Sequence, residues 1–371
     1  MVRAVSKRWW FTFALAAVAA ACSTADLTPA SVAPSTSRGP GGQQTPEDGA
    51  PPIDGGRDPE PEGAAPLATS SGVTIQVQPT DSGAALLSAI RGAKKSVHMT
   101  MYLLTSDDVI DALGDLKQAG KDVKVVLNKT FPENDNENQP AYTTLKNRGV
   151  EVHWAPSSYA FTHAKTILID SEKALIMTMN LTYSSPTTNR EYIATDTDAQ
   201  DVADLEKIFE ADFNNKAVNI PSKLVISPSG ANTLHPARTH IEQLIDSAKT
   251  SLDVEAQSLS DDTIVDAIVL AHQAKVDVHV VLDAETLNTP AQTAALAKLK
   301  QYGVPVRGLK NPDLHAKAIV VDEALTWIGS QNMTPTALEQ NREVGVLTDA
   351  KTEAVKVRQV ITSDFDKAEA L

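Results

Sequence analysis

Between Ala93 and Leu127 the apolar positions fall into three successive patterns, and the same succession returns between Ala248 and Leu282. Ala93-Lys94-Lys95-Ser96-Val97 is answered by Ala248-Lys249-Thr250-Ser251-Leu252, and Leu104-Thr105-Ser106-Asp107-Asp108 by Leu259-Ser260-Asp261-Asp262. Asp122-Val123-Lys124-Val125-Val126-Leu127 then meets Asp277-Val278-His279-Val280-Val281-Leu282, at an offset of 154 or 155 throughout. The alternating run predicts a strand, the helical spacing behind a Ser or Asp predicts a capped helix, and the Val-rich run predicts a buried strand. A second helix is predicted in each half, near Ala141–Arg148 and Ala291–Tyr302, closed by Gly149-Val150 and Gly303-Val304, which start another strand. Repetition of a β-α-β-α-β unit predicts an α/β fold of two pseudo-symmetric halves, each a central mixed sheet flanked by helices. The boundaries fall at 72–222 and 223–371.

The chain before the repeats reads differently. Arg3, Lys7 and Arg8 precede a 13-residue apolar stretch, Trp9 to Ala21, which ends in three alanines, so residues 1–21 read as a signal peptide. Cys22, the only cysteine, follows directly, and the segment resembles a bacterial lipoprotein signal whose cysteine is lipidated. Cleavage after Ala21 with release of a soluble protein is the alternative. Leu27 to Pro66 holds nine prolines and seven glycines in 40 residues, too little apolar material to offset ordering, so 22–71 reads as a tether. The protein is therefore expected in the bacterial cell envelope, anchored through Cys22 on a periplasmic or outer-membrane face, or secreted if Cys22 is not lipidated.

Charge narrows the function. The 371 residues carry 33 Lys plus Arg against 47 Asp plus Glu, a net −14, and loss of residues 1–21 would leave 30 − 47, or −17. That balance disfavours a general nucleic-acid coat, while leaving room for a local basic site. A single cysteine excludes an intrachain disulfide framework and a multi-thiolate zinc site.

Further along, the correspondence settles to a constant offset of 152. Thr162-His163-Ala164-Lys165 with Asp170 matches Leu314-His315-Ala316-Lys317 with Asp322, Asn180 matches Asn332, and Asn189-Arg190-Glu191 matches Asn341-Arg342-Glu343. Strand alternation puts His163 and Lys165 on one face, and His315 and Lys317 likewise. Asp170, with Asp322 as its counterpart, has the opposite parity and belongs at a strand end, in a turn or structural ion pair. The next strands, Ala174–Asn180 and Leu325–Asn332, put Thr178 with Asn180 and Ser330 with Asn332. Lysines and carboxamides donate to anionic oxygens, and two imidazoles supply a nucleophile and a proton donor. A Glu accepting from Nδ1 fixes the tautomer and frees Nε2. The set fits phosphodiester chemistry and requires no metal or cofactor.

With these residues in view, the chain after the tether resembles the phospholipase D superfamily, whose signature is two copies of H-x-K-x-x-x-x-D followed by G-S-x-N. Gly329-Ser330-Gln331-Asn332 completes the pattern; the first half carries Met177-Thr178-Met179-Asn180, with Met177 expected to reshape that side of the pocket. The resemblance implies phospholipase D-like repeats meeting face to face, with both motifs in one active site at their interface and a phosphohistidine intermediate. It implies His163 as nucleophile and His315 as general acid, then base, the near-symmetry leaving that order open. Lys165, Lys317, Asn180 and Asn332, with Thr178 and Ser330, would hold the phosphoryl oxygens, and Glu191 and Glu343 would orient the histidines.

Remaining features carry lesser expectations. Pro132 to Gln139 reads as a solvated connection or a loop over the entrance, and Trp154, Tyr159 and Phe161 as packing or substrate contacts. His98, His153, His235, His240, His272 and His279 lack matched partners and read as structural or surface residues. The expected activity is headgroup hydrolysis or transfer on glycerophospholipids, giving phosphatidic acid. An exported metal-independent nuclease and a cardiolipin synthase-like transphosphatidylase are the alternatives, and a binding protein with a dead site is disfavoured because every motif residue is present. Duplication within one chain makes a monomer sufficient.

Overall fold

The computed structural model describes residues 67–132, 137–232, 234 and 236–371. The signal peptide, Cys22 and the tether up to Pro66 lie outside the described residues, as does His235.

The first half runs β1 (Thr74–Gln78), α1 (Ala84–Arg91), β2 (Ser96–Met101), α2 (Asp107–Gln118), β3 (Asp122–Leu127), α3 (Gln139–Asn147), β4 (Glu151–Trp154), β5 (Lys165–Ile169), β6 (Lys173–Met177), α4 (Ser185–Thr188), β7 (Asn189–Asp196) and α5 (Ala199–Phe213). The second repeats it with β8 (Val225–Ser227), α6 (Ala237–Asp246), β9 (Ser251–Ala256), α7 (Asp262–Gln273), β10 (Asp277–Asp283), α8 (Pro290–Gln301), β11 (Val306–Leu309), β12 (Asp313–Leu314), β13 (Lys317–Val321), β14 (Leu325–Gly329), α9 (Pro335–Glu339), β15 (Glu343–Thr348), α10 (Lys351–Lys367) and β16 (Glu369–Ala370). The sheets order as β1-β7-β6-β5-β2-β3-β4 and β16-β11-β10-β9-β13-β14-β15-β8. β2, β3 and β4 are parallel, as helical crossovers require, whereas β2-β5-β6-β7-β1 are joined antiparallel; in the second half β9, β10 and β11 are parallel and β9-β13-β14-β15-β8 antiparallel, so the predicted mixed sheet is present in both. Among the described residues no helix is long and apolar enough to cross a membrane.

Three apolar cores hold this arrangement. One lies under α1, α2 and α3, with Ile90, Leu113 and Leu145, and one under α6, α7 and α8, with Leu244, Ile268 and Leu299. The third joins the halves: Ile176 and Ala194 of the first sheet share it with Ile328 and Val346 of the second, together with Leu205 of α5 and Val357 of α10. Face-to-face packing of the two sheets follows from this shared core.

The end of the expected tether behaves otherwise. Ser70 is fully buried, its N–H donates to the Leu347 carbonyl at 2.7 Å, and its own carbonyl accepts from Thr348 Oγ1 at 3.1 Å. Residues just before the first repeat are thus stitched to the second half's β15.

Asp170 and Asp322 sit at strand ends, as their parity requires. Both adopt left-handed backbone, with φ of 59° and 53°, a region Asp tolerates. Asp170 Oδ1 accepts backbone N–H groups from Lys95 at 2.6 Å and Ser96 at 3.0 Å, and Lys94 donates to the same carboxylate at 2.9 Å. Asp322 receives Lys249, Thr250 and Ser251 in the same way. Burial opposes ionisation, but these donors hold both carboxyls below the ordinary value. The motif aspartates therefore anchor the entry to β2 and β9.

Candidate active site

Each motif histidine hangs from the other half's sheet. β12 pairs in parallel with β7, setting Leu314 opposite Arg190, and the His315 N–H donates to the Arg190 carbonyl at 3.3 Å. Reciprocally, Thr162 bridges to Arg342, and the N–H groups of His163 and Ala164 both donate to the Arg342 carbonyl at 2.9 Å. The residue after each arginine is the motif glutamate, so the crossing delivers it to the opposite histidine. His163 Nδ1 lies 2.9 Å from Glu343 Oε2, and His315 Nδ1 lies 2.8 Å from Glu191 Oε1. Both glutamate side chains are fully buried, while the histidines keep 12% and 15% exposure, enough for a substrate atom to reach them.

The lysines complete a single cluster. Lys165 Nζ donates to the His163 carbonyl at 2.6 Å and lies 5.0 Å over the Tyr102 ring. Lys317 Nζ donates to the His315 carbonyl at 2.5 Å and to Gln257 Oε1 at 2.9 Å. Burial pushes Lys165 down to about 7 and Lys317 to about 8, against the pull of both glutamates. Burial likewise drives His163 down to about 4, Glu343 opposing and Lys165 and Lys317 adding to it. His315 is lowered by the same causes, with Glu191 opposing. Glu191 stays below its ordinary value because contact with His315 and Lys317 outweighs its burial. A neutral His163 with its Nδ1 on Glu343 leaves its Nε2 lone pair free, whereas the His315 ring has Lys317 Nζ 3.5 Å from its Nε2.

Further residues brace the cluster. Asn341 Nδ2 donates to Glu343 Oε1 at 3.0 Å. Arg342 reaches across to Asp212 on α5, at 2.9 Å from Nε, and Arg190 reaches across to Asp364 on α10. These buried ion pairs tie each glutamate strand to the opposite half's last helix.

Some sequence expectations are revised. Thr178 and Ser330 do not face an anion: both are fully buried, Thr178 Oγ1 donating to Glu191 Oε2 at 2.5 Å and Ser330 Oγ accepting from the Val344 N–H at 3.1 Å. They brace the glutamate strands instead: each backbone N–H continues the ladder to the neighbouring strand, at Tyr192 and Val344, and each hydroxyl bonds the same strand. Met177 packs into the outer core of the first half, away from the cluster. At its counterpart, Gly329, a side chain would collide with Trp327 and Gln331. Asn180 and Asn332 are half-buried, and each carboxamide oxygen is buried without a partner, so the amide can turn its N–H groups to an incoming oxygen. Asn138, within the stretch that reads as a connection, is buried and bonds Leu104 N–H and the carbonyls of Tyr102 and Asn128. Trp154 stacks on Tyr142, and Tyr159 covers the Arg342 guanidinium. Among the unmatched histidines, His98 bridges Asp122 and Glu206, and His279 contacts Asp253.

Tyr102 and Gln257, each on its own half's lysine, lie outside both motifs and are added by the structure. The sequence does hold a signal for them: continuing the 155-residue offset one position past β2 and β9 pairs them.

The arrangement matches known proteins. The family model described as cardiolipin synthase, PLD-like domain, fits residues 86–213 and again 241–367, one copy per half. Cardiolipin synthase A of Yersinia pseudotuberculosis and of Yersinia pestis are each 30% identical over 129 residues, 31% of this chain and 26% of the relative, so the chain matches about a quarter of their length. The solved phosphatidylserine synthase of Haemophilus influenzae superposes with a TM-score of 0.63 at 14% identity, covering 82% of this chain and 89% of that one. Polyphosphate kinase from Porphyromonas gingivalis gives 0.61 at 15% identity, covering 78% and 46%. At these identities the structural likeness is one of fold.

Proposed function

The chain belongs to the phospholipase D superfamily, and on that premise we propose that it is a phosphodiesterase of the phospholipase D type, acting on the headgroup of glycerophospholipids. The observation that carries the reading is the pair of buried imidazoles, each held through Nδ1 by a carboxylate of the opposite half and both beside two buried lysines.

His163, pushed to about 4, is neutral near pH 7 and suits the nucleophile. Its Nε2 lone pair forms a bond to phosphorus while the bond from phosphorus to the headgroup oxygen breaks; His315, charged beforehand by a solvent proton that Glu191 and the bound phosphodiester anion favour, passes that Nε2 proton to the oxygen and becomes neutral. Glu343 stabilises the imidazolium character that develops on His163. His315 then takes a proton from water or an alcohol, whose oxygen attacks phosphorus as the phosphorus–nitrogen bond breaks. His163 is returned, and the product is phosphatidic acid or an exchanged phospholipid. Lys165, Lys317 and the amides of Asn180 and Asn332 stabilise the charge on the non-bridging oxygens.

The relatives named cardiolipin synthase favour a phospholipid substrate and keep transfer beside hydrolysis. The acidic balance, −14, disfavours a polynucleotide. Export, with anchorage through Cys22, is part of the same proposal and would hold the site near a lipid surface. The test incubates the full chain, with EDTA present, against mixed phospholipid vesicles and against plasmid and single-stranded DNA, with His163→Asn as the blank. Headgroup release absent from the variant supports the reading. Strand cleavage without lipid turnover overturns it in favour of a nuclease.

A further inference from the structure

The duplication permits a comparison of equivalent positions around the cluster, and five of them differ in the same sense. Tyr102, Asn128, Thr130 and Phe131 of the first half correspond to Gln257, Asp283, Glu285 and Thr286 at the offset of 155, and Phe161 corresponds to Asp313 at 152. The first-half wall is aromatic. Tyr102 stands edge-on to His163 with ring centroids 4.5 Å apart, and Phe131 and Phe161 lie 4.9 Å and 6.2 Å from Tyr102.

The second-half wall is polar and acidic. Thr286 Oγ1 donates to the Gln257 carbonyl at 2.9 Å, and the Gln257 side chain meets Lys317. Asp283 is only 8% exposed, accepts one N–H from Glu285 at 3.0 Å and has no ion-pair partner among the described residues. Glu285 and Asp313 are exposed beside it, Glu285 on the turn that Asp283 caps and Asp313 on β12, which packs against β10. Burial, then repulsion from Glu285 and Asp313, pushes Asp283 up to about 6 although Lys317 pulls the other way, and burial and Glu285 raise Asp313. Negative charge held in this way favours an arriving cation. The three carboxylates do not converge as metal ligands do. Among the described residues such convergence occurs elsewhere, at His98, Glu206 and Glu210. A diffuse organic cation fits better than a metal ion.

In-line displacement sets the leaving oxygen opposite the attacking nitrogen, hence toward His315 and this acidic wall. We infer that Asp283, Glu285 and Asp313 form the leaving-group subsite and take a cationic amino-alcohol headgroup, with the Tyr102, Phe131 and Phe161 rings facing the retained glycerolipid. The inference rests on the phosphodiesterase reading.

The test measures binding of glycerophosphoethanolamine and glycerophosphoglycerol, soluble diesters that differ in carrying an amine or a hydroxyl-bearing alcohol. Calorimetry uses the full chain carrying His163→Asn, with and without Glu285→Gln/Asp313→Asn. The amine diester should bind about tenfold more tightly, and the added pair of substitutions should bring the ratio to within about twofold. Glu172→Gln, the same change at an exposed acid paired with Lys95, should leave the preference in place. Equal binding of the two diesters, or a preference that survives the paired substitution, overturns the inference. Headgroup release from vesicles by the unmodified chain reads the reaction separately. Preference without release leaves the subsite standing and removes the reaction; release without preference does the reverse.

Discussion

His163 Nδ1 and Glu343 Oε2 are 2.9 Å apart although 180 residues of chain separate them. The reciprocal contact, His315 to Glu191 at 2.8 Å, makes the exchange complete. Neither half holds its own histidine, so each Nδ1 finds its carboxylate only when the two sheets are packed together. Docking of the halves and arming of the site are therefore one event.

Glu343→Gln tests that dependence. A glutamine can present its amide N–H to Nδ1 and so favour the tautomer with the proton on Nε2, which blocks attack. The expected result is a fall in kcat of about two to four orders of magnitude with little change in KM. Steady-state kinetics beside a thermal melt would separate this from misfolding. A variant with normal kcat would show that Glu343 does not set the tautomer.

The lysines predict opposite pH trends for activity and stability. Lys165 at about 7 and Lys317 at about 8 lose their charge in the free enzyme as pH rises through those values. A bound phosphodiester anion favours the charged forms and moves both upward. Thus kcat/KM should decline above about pH 7 while kcat holds to higher pH. The unfolded lysines, near 10.5, bind protons that the folded ones have released, so these two groups add stability from about pH 7 toward 10.5. Parallel decline of kcat and kcat/KM would reject the lysines as the titrating groups.

Much of this is legible in the amino-acid sequence. The repeated β-α-β-α-β order, the two motif sets and the strand-end position of Asp170 all follow from spacing and parity. The exchange of glutamates does not, because equal spacing in both halves is satisfied as well by pairing within a half. What decides it is β12, two residues long, lying on β7, a contact with no local pattern to announce it. Thr178 and Ser330 escape the pattern for a different reason: alternation sets them beside Asn180 and Asn332 and the resemblance gives them to the anion, but it does not announce that their buried hydroxyls meet Glu191 and the Val344 N–H of the neighbouring strand. Ser70 closes a segment whose prolines predict a tether, whereas its partners are Leu347 and Thr348 in the second half, far along the chain.

Asp170→Ala should separate structure from catalysis. Three backbone N–H groups lose their acceptor at the start of β2, a cost of about 2 to 4 kcal/mol. Denaturant unfolding should show that loss, while kcat/KM of the folded fraction stays within a few-fold. A kcat reduced as far as in His163→Asn would give the aspartate a direct catalytic role.

Arg342→Met should be more damaging to stability than an exposed arginine change. Arg342 is fully buried and answers Asp212 and the Ser227 carbonyl, so its removal leaves an uncompensated carboxylate between the halves. About 3 to 5 kcal/mol should be lost, and Arg342→Met/Asp212→Leu should recover most of it. A double variant as unstable as the single one would mean that the guanidinium matters for packing and not for charge.

The order of the two histidines follows from leaving-group chemistry. With a p-nitrophenyl phosphodiester the departing phenolate needs no proton, so the first displacement should survive loss of the general acid. His315→Asn should then release one equivalent of nitrophenol and stop, because no base remains to activate water, leaving a phosphoryl adduct on His163. His163→Asn should give neither burst nor adduct. Intact-mass measurement after mixing, with acid lability to mark a phosphorus–nitrogen bond, reads both outcomes. The site's near-symmetry sharpens the comparison: both imidazoles have a carboxylate at Nδ1 and a lysine beside them. They differ in the Tyr102 ring beside His163 and the Gln257 amide beside Lys317. An adduct on His315 in the His163→Asn variant would reverse the assignment and place the leaving group on the aromatic side.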